Sequence, residues 1–463
     1  MSATGNSRKL FGTDGVRGVA NVDPVTSEVA LKLGRAAAHV FRTRQPVARD
    51  HGRHKIVVGK DTRLSGYMLE NAVSAGILSM GVDVLLIGPL PTPGVAYITR
   101  SLRADAGIVL TASHNPYEDN GIKFFRGDGY KLDDAIEKQI EDLVFSGAIE
   151  NIRPTAEEIG KAMRIDDALG RYVEYAKAAF PKGMTLEGLR VIVDAGHGAT
   201  YKSTPCVLRE LGARVTVLNN APDGTNINKN CGSTYPEVIC KAVRELGADI
   251  GISHDGDGDR VILCDETGTE VDGDDVLAIT ALDWLQRGTL KKNTLVATVM
   301  SNLGLDFVLK AGGGHVLRTA VGDRYVIERM LADDLNVGGE QSGHMIFRDF
   351  ATTGDGIVSA LQVLRIMMDT GKPLSKLRQV VAKFPQVVVN VKVREKPAWD
   401  SLPDVMDLVR DAEKTLGDTG RVFLRYSGTE PKARLLIEGR DGAQIKTMAD
   451  KIAGRIKDRI GAS

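Results

Sequence analysis

Few bulk properties of this chain single out a partner. Its 463 residues include 60 basic and 60 acidic side chains. No net field therefore favours nucleic acid or an anionic membrane, and any anion selectivity has to be local. No apolar run approaches the roughly 18 residues a membrane span needs. The opening MSATGNSRKLFG lacks the apolar centre of a secretory signal. Cysteine is scarce, and Cys206, Cys231, Cys240 and Cys264 show no CxxC spacing and no neighbouring histidine pairs. That argues against zinc and for reduced structural thiols in a cytoplasmic protein. Low-complexity segments are missing too. What remains, 43% hydrophobic and 26% charged, is an ordinary globular chain. It is too long for one core and is expected to divide into about three or four domains.

Its organisation reads as a repeat. Ile56-Val57-Val58 predicts a strand, GKDTRLSG a loop, residues 69–78 a helix, Gly81 a turn and residues 83–87 a second strand. Residues 189–218 and 294–321 follow the same plan. Three βαβ units imply three related α/β domains, with ligands at the carboxyl ends of their strands. Ahead of the first unit, Pro24 and Thr26 open a helix with Val29, Leu33, Ala37, Val40 and Phe41 at helical spacing. Residues 8–20, rich in glycine and carrying Asp14 and Arg17, read as a tight loop. The basic stretch 44–54 reads as a solvated surface insertion. After residue 385 the pattern changes to an alternating VVVNVKV, a helix near 399–416, strands at 421–425 and 434–438, and an amphipathic last helix. This is a smaller α+β domain, and residues 378–385 predict a hinge before it.

Four loops carry chemistry. Strand-like Gly107-Ile108-Val109-Leu110 runs into Thr111-Ala112-Ser113-His114-Asn115-Pro116. A serine hydroxyl thus sits beside an imidazole on a turn closed by proline, a position that suits a nucleophile. In HDGDGDR, Asp255, Asp257 and Asp259 alternate with glycines. Three carboxylates so close repel one another unless a cation sits among them. The loop lacks the acidic residue that closes an EF-hand, so Mg²⁺ shared with a phosphate is favoured over calcium. GGEQSGH places Glu340, Ser342 and His344 in one turn, suited to sugar hydroxyls and to proton transfer near neutral pH. RYSGTEPKAR brackets Ser427, Gly428 and Thr429 between Arg425 and Arg434, a combination of arginine forks and backbone amides suited to phosphate. Each loop alone has a plain alternative as an ordinary polar turn.

The ordered quartet TASHNP, DGDGDR, GEQSGH and RYSGTEPKAR resembles the α-D-phosphohexomutase superfamily over nearly the whole chain. FGTDGVRG at 11–18 and Gln341 most resemble its bacterial branch acting on glucosamine phosphates. The resemblance implies three α/β domains, at 1–158, 159–263 and 264–380, and a TATA-binding-protein-like domain at 381–463, around a central cleft. Ser113 would carry a phosphate, and Asp255, Asp257, Asp259 and that phosphate would hold one Mg²⁺. Lys123, in NGIKF, matches the family's candidate general base, with His344 a second candidate and a purely electrostatic role for Lys123 an alternative. His114, Arg260 and Arg17 would support the phosphoserine, while Arg63, like Arg17, sits at the mouth of its loop, with a structural salt bridge the alternative for both arginines. Glu340, Ser342 and the loop from Arg425 to Arg434 would bind substrate.

The implied reaction interconverts glucosamine 6-phosphate and glucosamine 1-phosphate through a 1,6-bisphosphate, on the route to UDP-N-acetylglucosamine. A glucosamine or glucose 1,6-bisphosphate would act as activator. Homodimers are common among such relatives, although no feature of this sequence marks an interface. Three competing readings share the scaffold: a phosphomannomutase/phosphoglucomutase, a Mg²⁺-dependent phosphatase and a non-catalytic sugar-phosphate sensor.

Overall fold

In the computed structural model, which describes residues 10–12, 14–44, 53–427 and 431–462, the chain builds four sheets in sequence order. The first three share one four-strand plan. In the first, Lys55–Lys60 pairs in parallel with both Asp83–Pro89 and Ala106–Leu110, and Asp119–Arg126 returns antiparallel beside Ala106–Leu110. In the second, Arg190–Asp194 lies between Arg214–Leu218 and Ile250–His254, with Val261–Asp265 antiparallel to Ile250–His254. In the third, Thr294–Thr298 lies between His315–Thr319 and Val337–Gly339, with Met345–Phe347 antiparallel to Val337–Gly339. All three βαβ units of the sequence are thus present.

The shared plan positions the chemistry. In each domain the third strand is parallel and the fourth antiparallel, so the connection between them is a short loop at a carboxyl end. Those connections are the serine loop, the aspartate loop and the GEQSGH loop. Ala106–Leu110 and Ile250–His254 are buried along their whole length, as parallel strands covered on both faces should be.

Both edge strands of the first sheet, Val16–Val19 and Ala162–Arg164, lay hidden in the sequence. Val16–Val19 is not loop but an edge strand, antiparallel to Asp119–Arg126. Four residues among glycines carry too little pattern to register, and its partner lies about a hundred residues later. The basic stretch 44–54 falls largely outside the described residues. No helix among the described residues is long and apolar enough to cross a membrane. The four cysteines are free thiols.

The fourth sheet is antiparallel, ordered Gln386–Lys392, Lys432–Gly439, Gly420–Tyr426. Helices Pro403–Leu416 and Gly442–Ile460 cover one face, closing a core that includes Leu435, Ile437, Val405 and Ile452. The segment leading into it is anchored to the third domain. Lys383 pairs with Asp272 and Asp275 at 2.7 and 2.6 Å, Phe384 stacks on Phe307, and Asn302 holds both backbone groups of Phe384.

At that seam Glu438 is fully buried. It accepts from Leu303 N at 3.1 Å and Gln386 Nε2 at 2.6 Å and pairs with Arg421, which itself donates to the Ser301 carbonyl at 2.6 Å. Glu438→Ala leaves Arg421 without its counter-charge and Leu303 N–H without an acceptor. We expect a loss of about 3 kcal/mol, measured as a lower midpoint of thermal or urea unfolding.

Candidate active site

The serine loop leaves its strand with Ser113 in the left-handed region, φ +51°. This is uncommon for a residue with a side chain and is typical of functional turns. Ser113 is buried, its Oγ donates to Asp255 Oδ2 at 2.5 Å, and His114 Nδ1 lies 3.3 Å from Oγ. Thr111 steadies the turn by accepting from Ser113 N–H and donating to Asp61. Arg63, expected either at the mouth of its own loop or in a structural salt bridge, takes the second role: it is interior, paired with Asp61 and donating to carbonyls of the serine loop. Only the Asp61 pairing is local; the carbonyls Arg63 grips lie some fifty residues away, beyond the reach of any sequence pattern.

Asp255, Asp257 and Asp259 are all buried, and one carboxylate oxygen from each lies within 4.8 Å of the others. Asp257 Oδ1 and Asp259 Oδ1 are buried with no hydrogen-bond partner. Such acceptors without a hydrogen bond fit a hard cation, although His344 Nδ1 also lies 3.6 Å from Asp259 Oδ1. Burial, together with Asp257 and Asp259, raises the Asp255 carboxyl well above its ordinary range. The second oxygen of Asp257 is already taken, by Thr92 Oγ1 at 2.7 Å and Lys123 Nζ at 3.1 Å.

The surrounding basic groups are shifted in different directions. Lys123 lies 2.8 Å from Asp14 and 3.8 Å from Asp259 as well, and against the effect of burial these carboxylates push its ammonium above the ordinary lysine range. His344 lies 3.6 Å from Asp259 and 3.5 Å from Asp323, and again against burial it is raised. His114 goes the other way. Burial first, then Arg260 and Arg17, lower it to about 4, so it is neutral near pH 7. Arg260 reaches His114 Nδ1 at 3.2 Å, and Arg17 pairs with Asp14 at 3.1 Å.

The aspartate and GEQSGH loops meet edge to edge. Arg260 forms a bridge with His344, and Val261 N–H donates to Gly343 O at 3.1 Å. Gly343 sits at φ +90°, and a Cβ there would lie 2.2 Å from Val261 O, so only glycine permits the join. Between them opens a cavity of about 690 Å³ lined by Arg17, Ser113, Asp259, Arg260, Glu340 and His344 among others. Glu340 Oε1 accepts from Gly322 N–H at 3.0 Å, and Ser342 is exposed in the same turn. Gln341, which shaped the subgroup resemblance, does not line this cavity but donates to Asp272 at 3.2 Å.

Among the residues that sequence reasoning left without a role are Asp14, Asp323 and Lys131. Lys131 bridges Asp14, at 2.6 Å, and Asp323, joining the first domain to the third across the cleft. Asp323 follows strand His315–Thr319 at its carboxyl end. That placement is the signal that could have found it.

On the open face of the fourth sheet, Arg425 and Arg434 are direct cross-strand partners, and Asn390 lies opposite Arg434 on the other side. Like charges placed so are destabilising without an anion between them. Burial and Arg434 depress Arg425 below the ordinary arginine range. Ser427 is buried, and its carbonyl accepts from Lys396. Gly428 and Thr429 lie outside the described residues. Arg425, Lys432 and Arg434 line a second cavity of about 210 Å³, whose wall includes Met300 from the third domain.

Four successive family models match the chain. They are phosphoglucomutase/phosphomannomutase alpha/beta/alpha domain I at 8–150, domain II at 170–268, domain III at 272–384, and the C-terminal domain at 388–455. The phosphoglucosamine mutase of Syntrophotalea carbinolica is 57% identical over 98% of both chains. That of Geotalea daltonii is 59% identical over 98% of this chain and 99% of its own. The chain belongs to the phosphoglucosamine mutase family. Solved structures extend the likeness in fold. A phosphoglucomutase/phosphomannomutase family protein from Burkholderia thailandensis matches with a TM-score of 0.80 at 24% identity, covering 97% of this chain and 98% of that one. The N-acetylphosphoglucosamine mutase of Aspergillus fumigatus, crystallised with GlcNAc-6P and magnesium, matches at 0.67 and 17% over 97% and 96%. Within the phosphoglucosamine mutase family frame, the four loops found in the sequence fall one to each matched domain.

Proposed function

We propose that the protein interconverts glucosamine 6-phosphate and glucosamine 1-phosphate through a phosphorylated Ser113. The observation that carries this is Ser113 Oγ, 2.5 Å from Asp255 at the edge of a buried aspartate triad with orphaned oxygens. A hydroxyl there is both a nucleophile and, once phosphorylated, a neighbour of a cation seat. Asp255, Asp257 and Asp259, with a phosphate oxygen on Ser113, would hold Mg²⁺. When bound, the ion neutralises charge on the transferring group.

The remaining work belongs to the chain. Phospho-Ser113 gives its phosphoryl group to the free hydroxyl of the sugar phosphate. The O–P bond at the sugar forms as that at Ser113 Oγ breaks, and the sugar hydroxyl's proton is balanced by the one Oγ regains. The resulting 1,6-bisphosphate turns end for end, and its other phosphate returns to Ser113. A free 1,6-bisphosphate could likewise charge an unphosphorylated enzyme. Lys123 and His344, the two candidates to handle the sugar hydroxyl's proton, both lie beside Asp259, at 3.8 and 3.6 Å, and basic groups gathered there suit a reaction governed by positioning and electrostatics. Neutral His114, with Arg260 and Arg17, supports the phosphoserine. Glu340 and Ser342 take sugar hydroxyls. Arg425, Ser427, Gly428, Thr429 and Arg434 grip the phosphate that is not reacting.

One observation keeps a second reading open: Gln341 is spent on Asp272, so the residue that distinguishes the subgroup does not touch the cavity. A phosphoglucomutase/phosphomannomutase would use the same groups. Measuring kcat/KM on glucosamine, glucose and mannose 6-phosphates tests both. A preference of at least about tenfold for glucosamine is expected, since a site shaped for the C2 amine would meet a hydroxyl in its place on glucose and a hydroxyl of the other configuration on mannose. A preference for mannose or glucose would select the second reading, and inorganic phosphate as the only product would make the protein a phosphatase.

A further inference from the structure

The serine loop is gripped from behind by two side chains that touch no reacting atom. All five N–H groups of the buried Arg63 guanidinium are used. Nε donates to Asp61 Oδ2 at 2.8 Å, one terminal nitrogen to the carbonyls of Pro116 and Asp119, and the other to those of Ser113 and Asn115 at 2.8 Å each. Asn228, on the loop before helix Pro236–Leu246 in the second domain, donates to the same two carbonyls, Ser113 O at 2.8 Å and Asn115 O at 3.0 Å. Each carbonyl therefore receives one bond from the first domain and one from the second.

Both ends of this contact lie in the left-handed region, which asparagine accepts readily and serine rarely. Ser113 and Asn228 have φ of +51° and +58°, and for the serine such backbone persists only where its surroundings over-determine it. The space is closed as well. A Cβ on Gly256, inside the aspartate loop, would lie 2.6 Å from Ser113 O and 2.8 Å from Asn228 Nδ2. The nucleophile's backbone, the Asn228 amide and the aspartate loop are thus packed against one another with no slack.

We infer that Asn228 and Arg63 are positioning residues for phosphoryl transfer, two forks from two domains that hold the Ser113–Asn115 backbone so that Oγ stays beside the aspartate triad. The inference rests on the phosphoserine reading above. Neither side chain reaches the open cavity, so loosening the clamp should slow transfer without weakening sugar-phosphate binding.

Asn228→Gly is the deciding variant. Glycine adopts φ near +58° freely, so the change deletes the fork and little else. Asn228→Asp, which sets acceptor against acceptor, is the second variant and guards against a failure of the first to fold. Both are measured as kcat per phosphoserine counted by intact mass, alongside KM. We expect kcat to fall about tenfold or more with KM within about twofold. In Arg63→Lys a single ammonium cannot span four carbonyls, and a fall of about a hundredfold is expected. Wild-type kcat per phosphoserine in both Asn228 variants would overturn the inference, as would a KM that rises in step with the loss of kcat. A wild-type enzyme that carries no phosphoserine or does not interconvert the sugar phosphates would instead remove the reading beneath it.

Discussion

Ser113→Ala is expected to lower interconversion by at least about 10⁴-fold, the scale at which removing a covalent nucleophile leaves only binding and electrostatics behind. The fold should persist. Ser113 sits within a backbone held by Arg63 and Asn228, and alanine occupies less space in the same position. What disappears is the oxygen beside Asp255. Intact mass of the wild-type protein should show a population with one added phosphate, and the variant none. A phosphate retained on Ser113→Ala would place the carrier on another residue and sink the assignment of the serine loop. Activity retained without any phosphate would do the same to the mechanism.

Removal of divalent metal should have the second-largest effect. With a chelator in excess, interconversion is expected to fall to background and to return on addition of Mg²⁺. Asp257→Asn in metal-replete enzyme should lose about a thousandfold. Its Oδ2 is committed to Thr92 and Lys123, and its Oδ1 is one of the two orphaned oxygens, so an amide replaces a ligand with a neutral group. Stability should respond in the same direction. Three buried carboxylates are mutually repulsive, and an ion that binds only the folded protein stabilises it by mass action, about 2.7 kcal/mol at a hundred times Kd. The unfolding midpoint is therefore expected to rise with Mg²⁺ in the wild type and to respond much less in Asp257→Asn. Activity and midpoint that both ignore chelator would rule the triad out as a cation seat.

What could be read without coordinates was whatever is contiguous in the chain. The strand Ala106–Leu110 with its polar turn spans eleven residues and the triad in HDGDGDR seven, so each brings its chemistry together locally. Backbone geometry alone does the gathering there. The βαβ repeats were legible for a related reason: a strand buried on both faces has to be an apolar run, and the loop after it needs polar and glycine residues. The edge strand Val16–Val19 was not, because a short strand supported by one distant neighbour leaves no periodic trace.

The rest depended on long-range contacts that no local pattern records. Asp14 joins Lys123 and Lys131 from more than a hundred residues away, and Asp323 completes that network from a third domain. Arg63 is, by its neighbours, one more charged residue in a polar loop. Only the folded chain turns it inward onto Ser113. Gln341 had the opposite fate, being conspicuous in its motif yet directed at Asp272 rather than at the cavity. The sequence by itself determined which groups the protein owns and which loops present them, because residue type and strand periodicity are local. Which of those groups reach Ser113, which are held charged, and which only brace a neighbour were decided by the tertiary structure, since burial and ion pairing depend on partners brought together from separate domains.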